Sequence, residues 1–194
     1  MNTGSGSGRF SLFTIFYLSC FAAFGNPLII PLYSRIMEHF QVSPIEVSLP
    51  ISVYALPGAC DIPVLGFLQD KMGRKPVLVG SLLLCFAASI GMALTDSFSV
   101  FLLARGLQGF AVVPLESLSH TLITDHFEGP ERVRNIGRNT SARYIGAAVF
   151  PLLSSGCMVV FHWRVSLLLP PLLGLPLLFL CLRLTMPYTR SLFH

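Results

Sequence analysis

Apolar runs of roughly 20 residues or more dominate the chain, and only short polar breaks separate them. They occupy residues 10–33, 47–69, 76–94, 98–123, 140–161 and 165–186. About 20 apolar residues in a helix cross a hydrocarbon core of about 30 Å, so the pattern predicts an all-α, polytopic membrane protein with six transmembrane helices. The longest polar stretch, 124–139, separates the fourth run from the fifth. Within it Glu128, Gly129, Pro130 and Glu131 read as a turn, followed by a short amphipathic helix lying on the membrane surface. The first run is about twice as long as the core of a signal peptide, and no small-residue cleavage pattern follows it. It is expected to stay as a helix.

Composition agrees with this pattern. Of 194 residues 53% are hydrophobic and 11% charged, with a mean hydropathy of +0.71, whereas soluble domains carry about 25% charged residues. The five cysteines fall inside the apolar runs at scattered spacings, a distribution that predicts neither disulfides nor a metal site, and no cofactor is expected. The formal charge of +4 resides largely in short loops, so the expected partner is the lipid bilayer with its anionic headgroups and not nucleic acid. With a cytoplasmic amino terminus, one side receives Arg9, Lys71, Arg74, Lys75, Arg132, Arg134, Arg138 and Arg190, and the other only Arg35 and Arg164. That asymmetry predicts both termini in the cytoplasm.

The chemistry-bearing residues are few. Arg105 lies within the fourth run, where a guanidinium costs about 2.5–3.5 kcal/mol at mid-helix, so it is expected to face the bundle interior and to have a partner. At 100° per residue Glu116 returns to within about 20° of Arg105, and Gln108 and His120 lie within about 60°, giving this helix one polar wall. Such residues line a cavity or proton path; alternatively Glu116 and His120 reach along the helix to water. Asp61 lies nine residues before Asp70, a depth of about 13–14 Å, which suits either an intramembrane ion pair with Arg105 or a neutral carboxyl donating to a carbonyl. Asn26, Tyr33 and Tyr54 are substrate-contact candidates, although tyrosines near span ends also serve as interface anchors. Ser117 and His120 lack a third orienting group, and no enzymatic constellation stands out.

Three motifs resemble those of the major facilitator superfamily, most of all its drug:proton antiporters. Gly66, Leu68, Asp70, Lys71, Gly73, Arg74, Lys75 and Leu78 resemble motif A, with Phe67 replacing its first Leu. Leu103, Arg105, Gln108 and Gly109 resemble motif B. Gly137, Gly146 and Pro151 partly follow motif C, but Phe150, Ser154 and Ser155 replace its other glycines, which leaves a helix-packing role. The resemblance implies that Asp70 and Arg74 brace a cytoplasmic gate with Asp125 as partner of Arg74, and that Arg105 takes part in proton coupling.

The resemblance covers the whole chain, yet that superfamily has twelve spans in two six-helix halves. It therefore implies an amino-terminal half, in the plasma membrane or a bacterial inner membrane, that works with a second six-helix half or as a parallel homodimer. The expected activity is secondary transport, with proton-coupled export of a small molecule. The alternative is a truncated, non-transporting membrane fragment or assembly partner.

Overall fold

The computed structural model describes residues 12–60 and 72–183. Every described element is helical. In chain order they are α1 (Leu12–Ala22), α2 (Gly25–Ile29), a 3-10 turn (Ile30–Leu32), α3 (Tyr33–Phe40), a second 3-10 turn (Glu46–Ser48) and α4 (Leu49–Cys60). After the undescribed segment come α5 (Arg74–Leu94), α6 (Phe98–His126), α7 (Gly129–Val160), α8 (Trp163–Ser166) and α9 (Leu169–Arg183).

Four helices among the described residues are long and apolar enough to cross a membrane, and five if the bent pair Leu12–Ala22 and Gly25–Phe40 counts as one. That first run bends by 51°. Tightened turns mark the break, Ala23 donating to Cys20 and Phe24 to Phe21, and the prolines Pro27 and Pro31 just beyond it supply no backbone donor. The second expected span, 47–69, is described only as far as Cys60.

The region expected as a linker over 124–139 is different. Helix α6 runs on to His126, and α7 starts at Gly129 and continues unbroken to Val160, so Phe127 and Glu128 alone connect them. Gly129, at φ 54°, makes the turn, and Pro130 suits the first helical turn, where no N–H is needed. The amphipathic segment therefore extends α7 and is no separate surface helix. Its buried side holds Asn135 and Asn139, while Arg132, Arg134 and Arg138 are exposed.

Helix α6 is the centre of the bundle and packs against α5, α4, α1 and α7, while α1 also touches α7 and α9. Two glycines set how closely these helices approach. A Cβ on Gly109 would overlap the backbone carbonyl of Tyr54 on α4, and one on Gly146 would overlap that of Cys20 on α1. Gly137, expected to pack as well, has no described atom of another helix within 4 Å of where a Cβ would stand. Pro151 is half-buried, and Ser154 beside it donates to the Leu28 carbonyl at 2.7 Å, tying α7 to α2.

Each end of the bundle carries a polar clasp. At one end Arg74 donates to Asp125. Arg74 opens α5 and Asp125 lies in the last turn of α6, so each charge opposes its own helix dipole and the pair relieves both. Gly73, at φ 85°, permits the reversal that precedes α5. At the other end Arg164 donates to Asp96 and lies 2.8 Å from His39 Nε2, joining α3, the α5–α6 loop and α8. The Arg164 hydrogen bond and charge hold the Asp96 carboxyl below its ordinary value of 3.8.

Gly109→Ala and Gly146→Ala each lower stability by about 1–3 kcal/mol through overpacking, whereas Gly137→Ala raises it by about 0.5–1 kcal/mol through helix propensity. Heating with a fluorogenic thiol reagent measures this, because Cys85 and Cys181 are buried reporters. The Asp96 clasp contributes above pH about 3.8 and is lost as the pH falls through the lower folded-state value. The stability difference between the wild type and Asp96→Asn is accordingly level from about pH 7 to 5 and disappears in stronger acid, as followed by thermal unfolding across pH.

Candidate functional site

Arg105 is fully buried, at 0% exposure. Its Nε donates to the Pro50 carbonyl at 3.3 Å, and Nη2 donates to the Gly25 carbonyl at 3.0 Å and to Asn26 Oδ1 at 3.0 Å. Nη1 donates to Gln108 Oε1. Gln108 passes the chain onward, donating to Ser89 Oγ at 2.8 Å, and Ser89 donates to the Cys85 carbonyl at 2.8 Å. Over one face of the guanidinium lies the Tyr54 ring, 4.2 Å from ring centroid to Cζ.

This arrangement is a clamp. A planar, five-donor fork can meet carbonyls from three directions at once, which a lysine ammonium cannot. Arg105 thereby ties α6 to the bend at α2 and to the start of α4. Every partner named is a carbonyl, a carboxamide or an aromatic face; Asp61, the ion-pair candidate, lies outside the described residues. Asn26 and Tyr54, expected to touch substrate, are engaged by the clamp. Tyr33 places its buried hydroxyl near Arg105, without a hydrogen-bond partner among the described residues.

Glu116 is separate from the clamp. Its Oε1 lies 2.8 Å from Nη2 of Arg143 on α7, with side-chain exposures of 32% and 45% for Glu116 and Arg143. Arg143 was not a site candidate, although it was the one unassigned cation in the fifth run. Its signal was register: Asn139, one turn earlier, donates to Ser119 Oγ at 3.3 Å and accepts from Ser19 Oγ at 2.6 Å. Antiparallel helices joined by two residues bring Ser119 opposite Asn139 and Glu116 opposite Arg143 in nearly the same register.

The outward positions of α6 change character along its length. Nearer Phe98 they are Val100, Leu103, Leu107 and Phe110; nearer His126 the half-exposed positions include Glu116, Ser117, His120, Thr121 and Thr124. Measured from the helix midpoint at Val112, Arg105 lies about 10 Å toward Phe98 and Glu116 about 6 Å toward His126. A polar row at that depth cannot face hydrocarbon, so it requires a water-filled cavity or another protein surface.

Of the motif A residues, Gly73, Arg74 and Lys75 are described, whereas Gly66, Asp70 and Lys71 are outside the described residues. Lys75 donates to the Leu182 carbonyl at 2.8 Å, capping the last turn of α9. Neighbouring cations thus hold two different helix ends.

A sequence model of the Major Facilitator Superfamily matches residues 15–193. The chain belongs to that superfamily. It is an integral membrane protein, of the plasma membrane or of a bacterial inner membrane. Among curated relatives, the Escherichia coli multidrug resistance protein MdtM is 27% identical over 170 residues, covering 87% of this chain and 41% of the relative. The Candida glabrata multidrug transporter AQR1 is 27% identical over 143 residues, 74% of this chain and 24% of the relative. Quinidine resistance protein 3 of Saccharomyces cerevisiae is 30% identical over 154 residues, 78% of this chain and 22% of that protein. The chain thus spans less than half the length of these relatives, whose names fall in the drug-transporter group that the motif resemblance implies.

Arg105→Ala strands three buried acceptors, on Pro50, Gly25 and Gln108. At about 1–3 kcal/mol for each, stability falls by at least about 3 kcal/mol, and Arg105→Lys recovers less than half of it. Thermal unfolding of purified, detergent-solubilised protein measures both.

Proposed function

We propose that this chain is one six-helix half of a secondary transporter that exports small molecules against a proton gradient. The observation that carries this reading is the polar row of α6, because a half-exposed carboxylate near the middle of a membrane-length helix needs an aqueous cavity beside it. The drug-resistance and exporter names of the relatives support small-molecule efflux. The opposite wall of the cavity comes from a second six-helix half or a second copy of the chain, since Glu116, Ser117, His120, Thr121 and Thr124 remain half-exposed among the described residues. In this reading both termini are cytoplasmic and the Arg74–Asp125 clasp lies at the inner end of the bundle. There it acts with Asp70, Lys71, Gly66 and Gly73 as a gate that holds one conformation until substrate or proton shifts the balance. Glu116 and His120 are the titratable groups facing the cavity, and Asp61 is a further carboxyl on the proton path. Arg105, with Gln108 and Gly109, keeps the cavity wall in register with α2 and α4.

The test is efflux of a compound panel from vesicles containing the purified chain under an imposed proton gradient. Flux is expected to stop when an uncoupler dissipates the gradient. Arg74→Ala and Asp125→Ala should each slow transport about tenfold or more while the protein stays folded, and the charge exchange Arg74→Asp with Asp125→Arg should restore part of it. Folded wild-type chain that moves no compound, alone or co-expressed with a second six-helix half, would overturn the reading.

A further inference from the structure

The Glu116–Arg143 pair differs from the other ion pairs in the structure. Among the described residues the Arg35–Glu38 pair is an exposed pair within the short α3, and the Arg74–Asp125 and Arg164–Asp96 pairs clasp the ends of the bundle, whereas this one joins the middle of α6 to the middle of α7. Both members are reachable from the open side, at 32% and 45% exposure, while the groups behind them are closed off: Ser119 and Asn139 are buried and bonded to each other. The pair thus forms a charged spot of both signs in the described wall, one helical turn from the half-exposed His120.

The charge balance decides what such a spot can take up. A ligand bearing only a positive group could bind Glu116, but would leave Arg143 without its counter-charge in a partly buried cleft, where a lost ion pair costs more than it would in bulk water. A purely anionic ligand would bind Arg143 and leave Glu116 stranded. A ligand with both charges replaces one internal pair by two external ones and leaves nothing unpaired. We propose that Glu116 and Arg143 form a binding subsite for zwitterionic small molecules, with Glu116 taking the ammonium and Arg143 the carboxylate. The inference rests on the transporter reading above and narrows its substrate class. The separation of the two charges in the ligand must be short, because the two protein groups are 2.8 Å apart before they open.

Three probes on one skeleton test this: phenylalanine carries both charges, phenethylamine only the positive one, and 3-phenylpropionate only the negative one. Binding to the purified full chain in lipid nanodiscs is measured by calorimetry at neutral pH. The wild type should bind phenylalanine about tenfold or more tighter than either single-charge analogue, which is the scale of one hydrogen bond between charged groups. Glu116→Gln should lose that advantage and favour 3-phenylpropionate; Arg143→Gln should favour phenethylamine. The double variant Glu116→Gln with Arg143→Gln strands no charge, so it serves as the folded control, and it should bind all three equally weakly. Equal wild-type affinities, or single variants that weaken all three probes alike, would show the pair to be only a tie between α6 and α7. If the wild type transports other compounds but binds none of these three, the zwitterion subsite falls and the carrier reading stands. If folded wild type transports no compound of any class, both fall.

Discussion

Everything in this bundle depends on finding hydrogen-bond acceptors for one guanidinium in a place without water. Arg105 cannot lose its charge cheaply and cannot reach either end of α6, so the chain has to bring oxygens to it. It does so from irregular or interrupted backbone, taking the Gly25 carbonyl at the bend of the first apolar run and the Pro50 carbonyl at the start of α4. The break at Ala23–Phe24 and the close approach permitted by Gly109 are therefore parts of one arrangement. A straight first helix would present side chains to this position, whereas a bent one presents carbonyls.

Much of this was legible in the sequence. The apolar runs announced a helical membrane protein, and the expense of an intramembrane arginine announced that Arg105 must be enclosed. The pairing of Arg74 with Asp125 followed from the motif A resemblance, and the closeness at Gly146 from the motif C one. The identity of the oxygens around Arg105 was not legible, because backbone carbonyls leave no mark in a sequence and a search for partners finds only acids such as Asp61. The continuity of α7 was obscured by polarity. Its first three turns are rich in arginine and asparagine, and polar residues suggest a loop when nothing shows that Asn135 and Asn139 are buried against the bundle. Gly137 meets no described neighbour for the complementary reason: spacing says where a small residue lies, but only the fold says whether another helix passes there.

The α6–α7 contact brings two demands together. Ser19, Asn139 and Ser119 form a closed polar chain across α1, α7 and α6, while Glu116 and Arg143 lie outside it on the accessible side. Hydrogen bonds between membrane helices are worth only about 1 kcal/mol each, so the buried chain fixes register more than it adds strength. A fixed register keeps two long, flexible side chains opposite one another. It also makes one wall of the bundle chemically different from its lipid-facing surroundings.

The clamp around Arg105 also has a direction in time. Gly25, Asn26, Pro50 and Tyr54 all precede Arg105 in the chain, and Gln108 lies within one turn of it. A protein made and inserted from its amino terminus has therefore already produced nearly every group that Arg105 needs when α6 leaves the ribosome. The arginine enters the bilayer as the last piece of an assembly already waiting for it, with no need of α7, α8 or α9, which have yet to emerge.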